Sequence, residues 1–167
     1  MRRVVAAIGA IALMVTVVGV VSADDDHRGS FRTHLDGYHE VPAISTTGTG
    51  DLTLKVNSAG TQIDYTLKFA SLAGGAAGAA HLHLAQPAVN GGVLAFLCGG
   101  SKPACPGTGG TVTGTITAAD IQAIPGQGIA VGDLAAVLRA MRAGFVYVNV
   151  HTTTFPTGEI RGQIKGH

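Results

Sequence analysis

The sequence predicts an all-β fold, an antiparallel β-sandwich of Greek-key type with one or two short helices in its connections. Three observations lead there. Short runs of alternating apolar and polar residues, rich in valine, isoleucine and threonine, recur along the chain. Turn-forming residues separate them, and the 167 residues include 25 glycines and no tryptophan. Only two segments carry helical spacing, and both are short.

The chain opens MRRVVAAIGAIALMVTVVGVVSADDDH. Arg2 and Arg3 form a positive start, Val4 to Val21 an apolar stretch, and Val21-Ser22-Ala23 a small-residue cleavage signature. Residues 1–23 are therefore expected to be a secretory signal peptide, with an uncleaved membrane anchor as the rival reading of a rather long apolar stretch. No cysteine lies near the cut, which argues against a lipoprotein anchor. A polar segment over 24–30 then leads into one domain over 31–167, expected to work outside the cytoplasm and, once the signal is removed, off the membrane. Cleavage takes two of the 11 basic residues and leaves nine against ten acidic ones. Such a near-neutral chain offers no basic footprint for nucleic acid and no polybasic patch for anionic lipid.

The elements follow in order. FRTHLD (31–36) alternates, with Phe31, Thr33 and Leu35 on one face. GTGDLTLKVN and TQIDYTLKFA form two more alternating runs around Asn57-Ser58-Ala59-Gly60, a hairpin signal. In the second of these, Ile63, Tyr65, Leu67 and Phe69 can face a core. AGGAAGAA (73–80) has no side chains large enough for a core and reads as a loop or a bulged strand entry. HLHLA (81–85), GVLAFLC (92–98) and GGTVTGTIT (109–117) are strands, and Gly114 suggests a bend in the last. TAADIQAI (117–124) begins with a Thr-x-x-Asp cap signal and is a helical candidate. VGDLAAVLRAMRAG (131–144) is the second, with Leu134, Val137, Leu138 and Met141 as its apolar stripe. FVYVNVH (145–151) and GEIRGQIKG (158–166) close the chain as a hairpin.

The only cysteines are Cys98 and Cys105. In an exported protein this pair reads as a disulfide closing a short loop; a soft-metal thiolate pair is the alternative, which an oxidising compartment disfavours.

The histidines carry the most chemistry. On a strand, residues i and i+2 share a face, so His81 and His83 project together. The same rule places Tyr147, Asn149 and His151 on one face and Val146, Val148 and Val150 on the other. If these two strands are neighbours, three imidazoles converge, a donor set that suits copper, zinc or nickel. His39 stands as a fourth ligand candidate with less support; His34 is another, and Glu40 an oxygen donor. The competing reading makes each histidine a structural pin that donates a ring N–H to a loop carbonyl. Both readings stay open at this level.

Other candidates are poorer. Glu159 and Arg161 lie two apart and are expected to form surface or cross-strand pairs that protect an edge. Ser45 lacks any nucleophile-elbow context, and the Gly-Gly pairs do not match a phosphate loop before a helix. No catalytic residue set is identified.

Four blocks taken together, LDGYHEVP, GTGDLTL, HLHLAQPAVNGGV and GFVYVNVHTTTFPTGEIRGQI, give the chain a recognisable outline. It resembles the CHRD domain family, named after repeats in chordin and found also as single secreted bacterial domains. The resemblance runs from about Phe31 to Ile164, and the closing block is its most specific part. It implies an extracellular β-sandwich-like module and carries no general enzymatic assignment. Chordin antagonises growth factors, but its cysteine-rich modules are missing here, so that activity does not transfer. At Tyr38-His39 family members often show a small or amide residue before Glu-Val-Pro, so His39 is an addition. The His-x-His pair is also similar to the copper-ligand pair of Cu/Zn superoxide dismutases. The bridging histidine, the zinc-binding aspartate segment and the disulfide arrangement of that family are absent.

The expectation is an exported CHRD-type protein that binds a transition metal, copper before zinc, through His81, His83 and His151. The alternative is an extracellular protein-interaction or scaffold module with structural histidines and no metal. A non-enzymatic role is favoured over a dismutase-like metalloenzyme.

Overall fold

A computed structural model describes residues 29–166; the expected signal peptide lies outside them. Nine strands form one antiparallel sheet: β1 (Ser30–Asp36), β2 (Thr49–Val56), β3 (Ile63–Ala70), β4 (Ala77–Leu84), β5 (Gly92–Cys98), β6 (Gly110–Ile116), β7 (Val146–Thr152), β8 (Ile160–Gln163) and β9 (Lys165–Gly166). Their order is β5-β4-β7-β8-β1-β2-β3-β6, with β9 added beside β1.

This order corrects the expected Greek-key sandwich. A sandwich needs two separate sheets, but β1 pairs with both β2 and β8 and so joins what would have been two layers. The sheet curls into a nearly closed barrel. Its two ends, β5 and β6, approach without laddering, and other contacts bridge them. The Tyr65 hydroxyl on β3 donates to the Leu97 carbonyl on β5 at 2.7 Å. The Gln122 amide reaches the Leu94 carbonyl at 2.9 Å. The Cys98–Cys105 disulfide ties the end of β5 to the connection before β6.

Alternation builds the core as read. In β3 the residues Ile63, Tyr65, Leu67 and Phe69 are buried while Asp64, Lys68 and Ala70 are exposed. Phe31, Leu35, Leu52, Leu54, Leu82, Val148, Val150 and Ile160 fill the inside of the curl. The β2–β3 turn is held by Asn57, whose Oδ1 accepts from the amides of Thr61 and Gln62.

One helix is present among the described residues, α1 (Leu134–Arg142). Asp133 caps it by accepting from the Ala136 amide at 2.8 Å, and Gly144 (φ +79°) follows its end. Its stripe of Leu134, Val137, Leu138 and Met141 is buried against β7 and β9. The other helical candidate closes one 3-10 turn only, Ala118–Asp120. Asp120 Oδ2 accepts from the Thr117 amide at 2.8 Å, and its other oxygen pairs with Lys102 at 2.8 Å. Ile121 then turns into the core, and Pro125 begins a second 3-10 turn. No helix of the described residues is long and apolar enough to cross a membrane.

Candidate metal centre

The two histidine-bearing strands are neighbours. β4 pairs with β7 so that Ala79 faces His151, His81 faces Asn149 and His83 faces Tyr147. Directly paired residues share a face, so all five polar or aromatic side chains of this register lie on one side. Ala80, Leu82, Val148 and Val150 take the other side and enter the core. The site therefore sits on the outside of the barrel wall, under the loops at 85–91, 37–44 and 153–158.

β5 contributes through irregularity. Its register against β4 shifts between Ala80 and His81 and again between Leu82 and His83. Each shift leaves an extra β5 residue, Leu97 and Leu94, whose carbonyls are the ones taken by Tyr65 and Gln122. Bulges of this kind turn side chains locally. Here they flank both histidines, and Phe96 stands edge-on to His81 with ring centroids 4.4 Å apart.

Hydrogen bonding fixes which ring nitrogens carry protons. Carbonyls only accept, so His83 Nδ1–H donates to Gly91 O and His151 Nδ1–H donates to Pro156 O, both at 3.0 Å. In each neutral ring Nε2 then holds a lone pair. His81 Nδ1 lies 3.0 Å from His151 Nε2. In the metal-free protein His81 donates that bond, which leaves a lone pair on its own Nε2. The Nε2 atoms of His81 and His83 are buried and unpartnered.

Burial keeps the rings neutral. It pushes His81 down to about 3, with His151 and His83 adding to the fall. It pushes His83 down to about 4 against the opposing pull of the Gly91 carbonyl, and it lowers His151 as well. At neutral pH the group presents lone pairs and no charge. One ligand atom from each of His81, His83 and His151 lies within 4.8 Å of the other two.

A family model of the CHRD domain matches residues 31–164. The chain belongs to the CHRD domain family. Comparison with curated proteins and with solved structures gave no match.

Around the histidines this CHRD domain places a second polar layer. His83 stacks on Tyr147, centroids 4.7 Å apart and planes within 7°. The Arg161 guanidinium lies 3.5 Å from the centre of the same Tyr147 ring and donates to Val89 O at 2.8 Å and Asn90 Oδ1 at 3.0 Å. These bonds hold the 85–91 loop, whose Gly91 carbonyl orients His83. A side chain at Gly91 would collide with the Leu84 carbonyl, so glycine is needed where the loop closes onto β4. Glu40 is buried, and burial pushes its carboxyl up to about 7 against the pull of Arg161.

Of the remaining sequence candidates, His39 is exposed and its Nδ1 bonds Asp36 Oδ1 at 2.7 Å, outside the trio. His34 is exposed beside Asp51 at 3.0 Å. The expected surface pairing of Glu159 and Arg161 is corrected: both are buried, and they serve different neighbours. Glu159 accepts from Thr46, Thr152 and the amides of Ala73 and Gly74. Burial alone would raise its carboxyl, and those four bonds instead hold it below the usual range. Sequence reasoning grouped Tyr147 and Asn149 with His151 by face and read neither as a ligand. The signal for Arg161 was absent, because an i, i+2 Glu-x-Arg pattern looks the same on an open edge as under a loop.

Proposed function

We propose that this CHRD domain is exported and binds one transition-metal ion through His81, His83 and His151, with copper the favoured metal. The observation that carries the reading is the fixed tautomer pattern. Two of the three imidazoles are anchored at Nδ1 by backbone carbonyls, which leaves Nε2 as donor, the arrangement that outer hydrogen bonds give to metal-ligating histidines. Two nitrogens sharing an ion at about 2.0–2.1 Å stand about 2.9–3.4 Å apart. The 3.0 Å between His81 and His151 fits, and a small ring rotation closes the remaining span of up to 4.8 Å. Copper(II) heads the affinity order for nitrogen sites, and neutral imidazoles suit it. The disulfide supports an oxidising compartment. Sequestration or metal handling is the role, and His39 stays out of the ligand set.

Isothermal titration of metal-free protein with Cu(II) and with Zn(II) tests this. One equivalent should bind, and His81→Ala with His83→Ala should abolish it. A flat titration of folded protein overturns the reading.

The second reading, a scaffold module with no metal, rests on the same carbonyl contacts: His83 and His151 each fasten a loop. Elemental analysis of untagged protein separates the two, near one metal per chain under the first and none under the second.

A further inference from the structure

Five buried side-chain atoms lack a hydrogen-bond partner among the described residues: Glu40 Oε1, His81 Nε2, His83 Nε2, Asn149 Oδ1 and Gln163 Oε1. All belong to the patch around β4, β7 and β8; with the tautomers above the histidine, Asn149 and Gln163 atoms are acceptors, while Glu40, whose carboxyl burial raises to about 7, has Asn149 Nδ2 and Arg161 beside it. A cluster of acceptors without donors is costly to bury unless something electropositive sits among them. Asn149 is the informative member. It is 2 % exposed, pairs with His81 across the ladder and shares a face with His151. Its amide cannot flip freely. The Thr157 carbonyl at 3.3 Å requires a donor, which sets Nδ2 on that side. Nδ2 also faces Glu40, across the space that Gly158 (φ +128°) leaves by having no side chain. Oδ1 is thereby turned toward the histidines. Asn149 acts on the His83 ring from hydrogen-bonding range, pulling its pKa up against burial as an amide oxygen does, and neither Asn149 Oδ1 nor His83 Nε2 has another partner among the described residues.

We propose that Asn149 Oδ1 is the fourth donor of the metal centre, completing a set of three imidazole nitrogens and one amide oxygen. This rests on the histidine reading above and adds to it. A hard oxygen beside three nitrogens is compatible with Cu(II) and Zn(II) and lacks the soft sulfur donors that select Cu(I). It also gives the orphaned amide oxygen and the orphaned His83 Nε2 one common partner, with His81 bound through Nδ1.

The test titrates Cu(II) into wild type, Asn149→Leu and Asn149→Asp, with electron paramagnetic resonance of each loaded protein and a melting curve of each metal-free one. Asn149→Leu keeps bulk and removes the donor; affinity should fall about 10- to 100-fold, the scale of lost support at metal sites. Its copper spectrum should shift as the oxygen is lost. Asn149→Asp restores an oxygen and should bind at least as tightly as wild type. The proposal is overturned, with the histidine reading intact, if Asn149→Leu binds with wild-type affinity and an unchanged spectrum. It is equally overturned if both variants weaken alike, because the loss then follows packing. Absence of binding by wild type removes both readings together.

Discussion

The Nδ1 of His81 stands 3.0 Å from the Nε2 of His151, and the far nitrogen of His81 is buried with no partner of its own. The pair thus holds one proton between two rings that burial keeps uncharged. Between about pH 6.5 and the low folded values of His81 and His83, the unfolded chain binds protons that the folded chain refuses. Stability of the metal-free protein should therefore fall as pH drops through that window and be untouched by these groups above it. Melting temperatures of wild type and of the His81→Gln, His83→Gln double variant, measured from pH 7.5 to 4, should converge toward the acid end. Parallel curves would show that the rings protonate freely in the folded state.

Glu40 has the opposite sign. Its folded carboxyl titrates near 7, above the ordinary 4.5, so the folded state binds the extra proton between those values and loses stability as pH rises through them. The charged group beside it is Arg161, which opposes the shift; the neighbouring Tyr147, its phenol raised by burial, stays neutral over this range. Glu40→Gln removes the titration while keeping the shape. Its stability relative to wild type should rise by on the order of 2–3 kcal/mol between pH 5 and pH 8. Denaturant midpoints at the two pH values measure it.

Replacing Arg161 by Met removes the contact over Tyr147 and both bonds to the 85–91 loop, and leaves Glu40 without its cation. Breaking a buried charge arrangement from one side costs about 3–5 kcal/mol. Hydrogen exchange should rise first at Gly91 and Gly92, while the β2–β3 hairpin stays protected. Uniform loss of protection would mean that Arg161 supports the whole barrel and not one loop.

Changing Cys98 and Cys105 together to Ser opens a ring of few residues, so the loss should be modest, about 2–3 kcal/mol. Tyr65 and Gln122 still hold the β5 carbonyls. Far-ultraviolet circular dichroism should keep its native form, and a denaturant titration should give the cost.

What the sequence disclosed follows the range of the interactions involved. Alternation is local, so the inward faces of β1 to β3 and the common direction of His81 and His83 could be read directly. That β4 lies beside β7 is a pairing across about 70 residues, and no local pattern encodes it. The closure of the sheet was hidden for a related reason: it turns on β1 bonding both β2 and β8. The 117–124 segment carried a true cap signal, but the Asp120 side chain folds back on Thr117 and Ile121 is drawn into the core after one turn. Arg161 misled because its burial comes from a loop more than 70 residues away in the chain.

β4 and β7 each belong to two structures at once, with Leu82 and Val148 packed inward and His83 and Asn149 turned outward. Inserting one residue in either strand would exchange the two sets, putting imidazoles into the barrel and leucine outside it. The loops at 85–91 and 153–158 carry no such double duty, since they touch the site and leave the barrel interior alone. Change in this protein is therefore channelled. Its strands cannot change length without exchanging their two faces, while its loops can vary to retune the site wherever they keep the Val89, Asn90 and Gly91 contacts that seat Arg161 and His83.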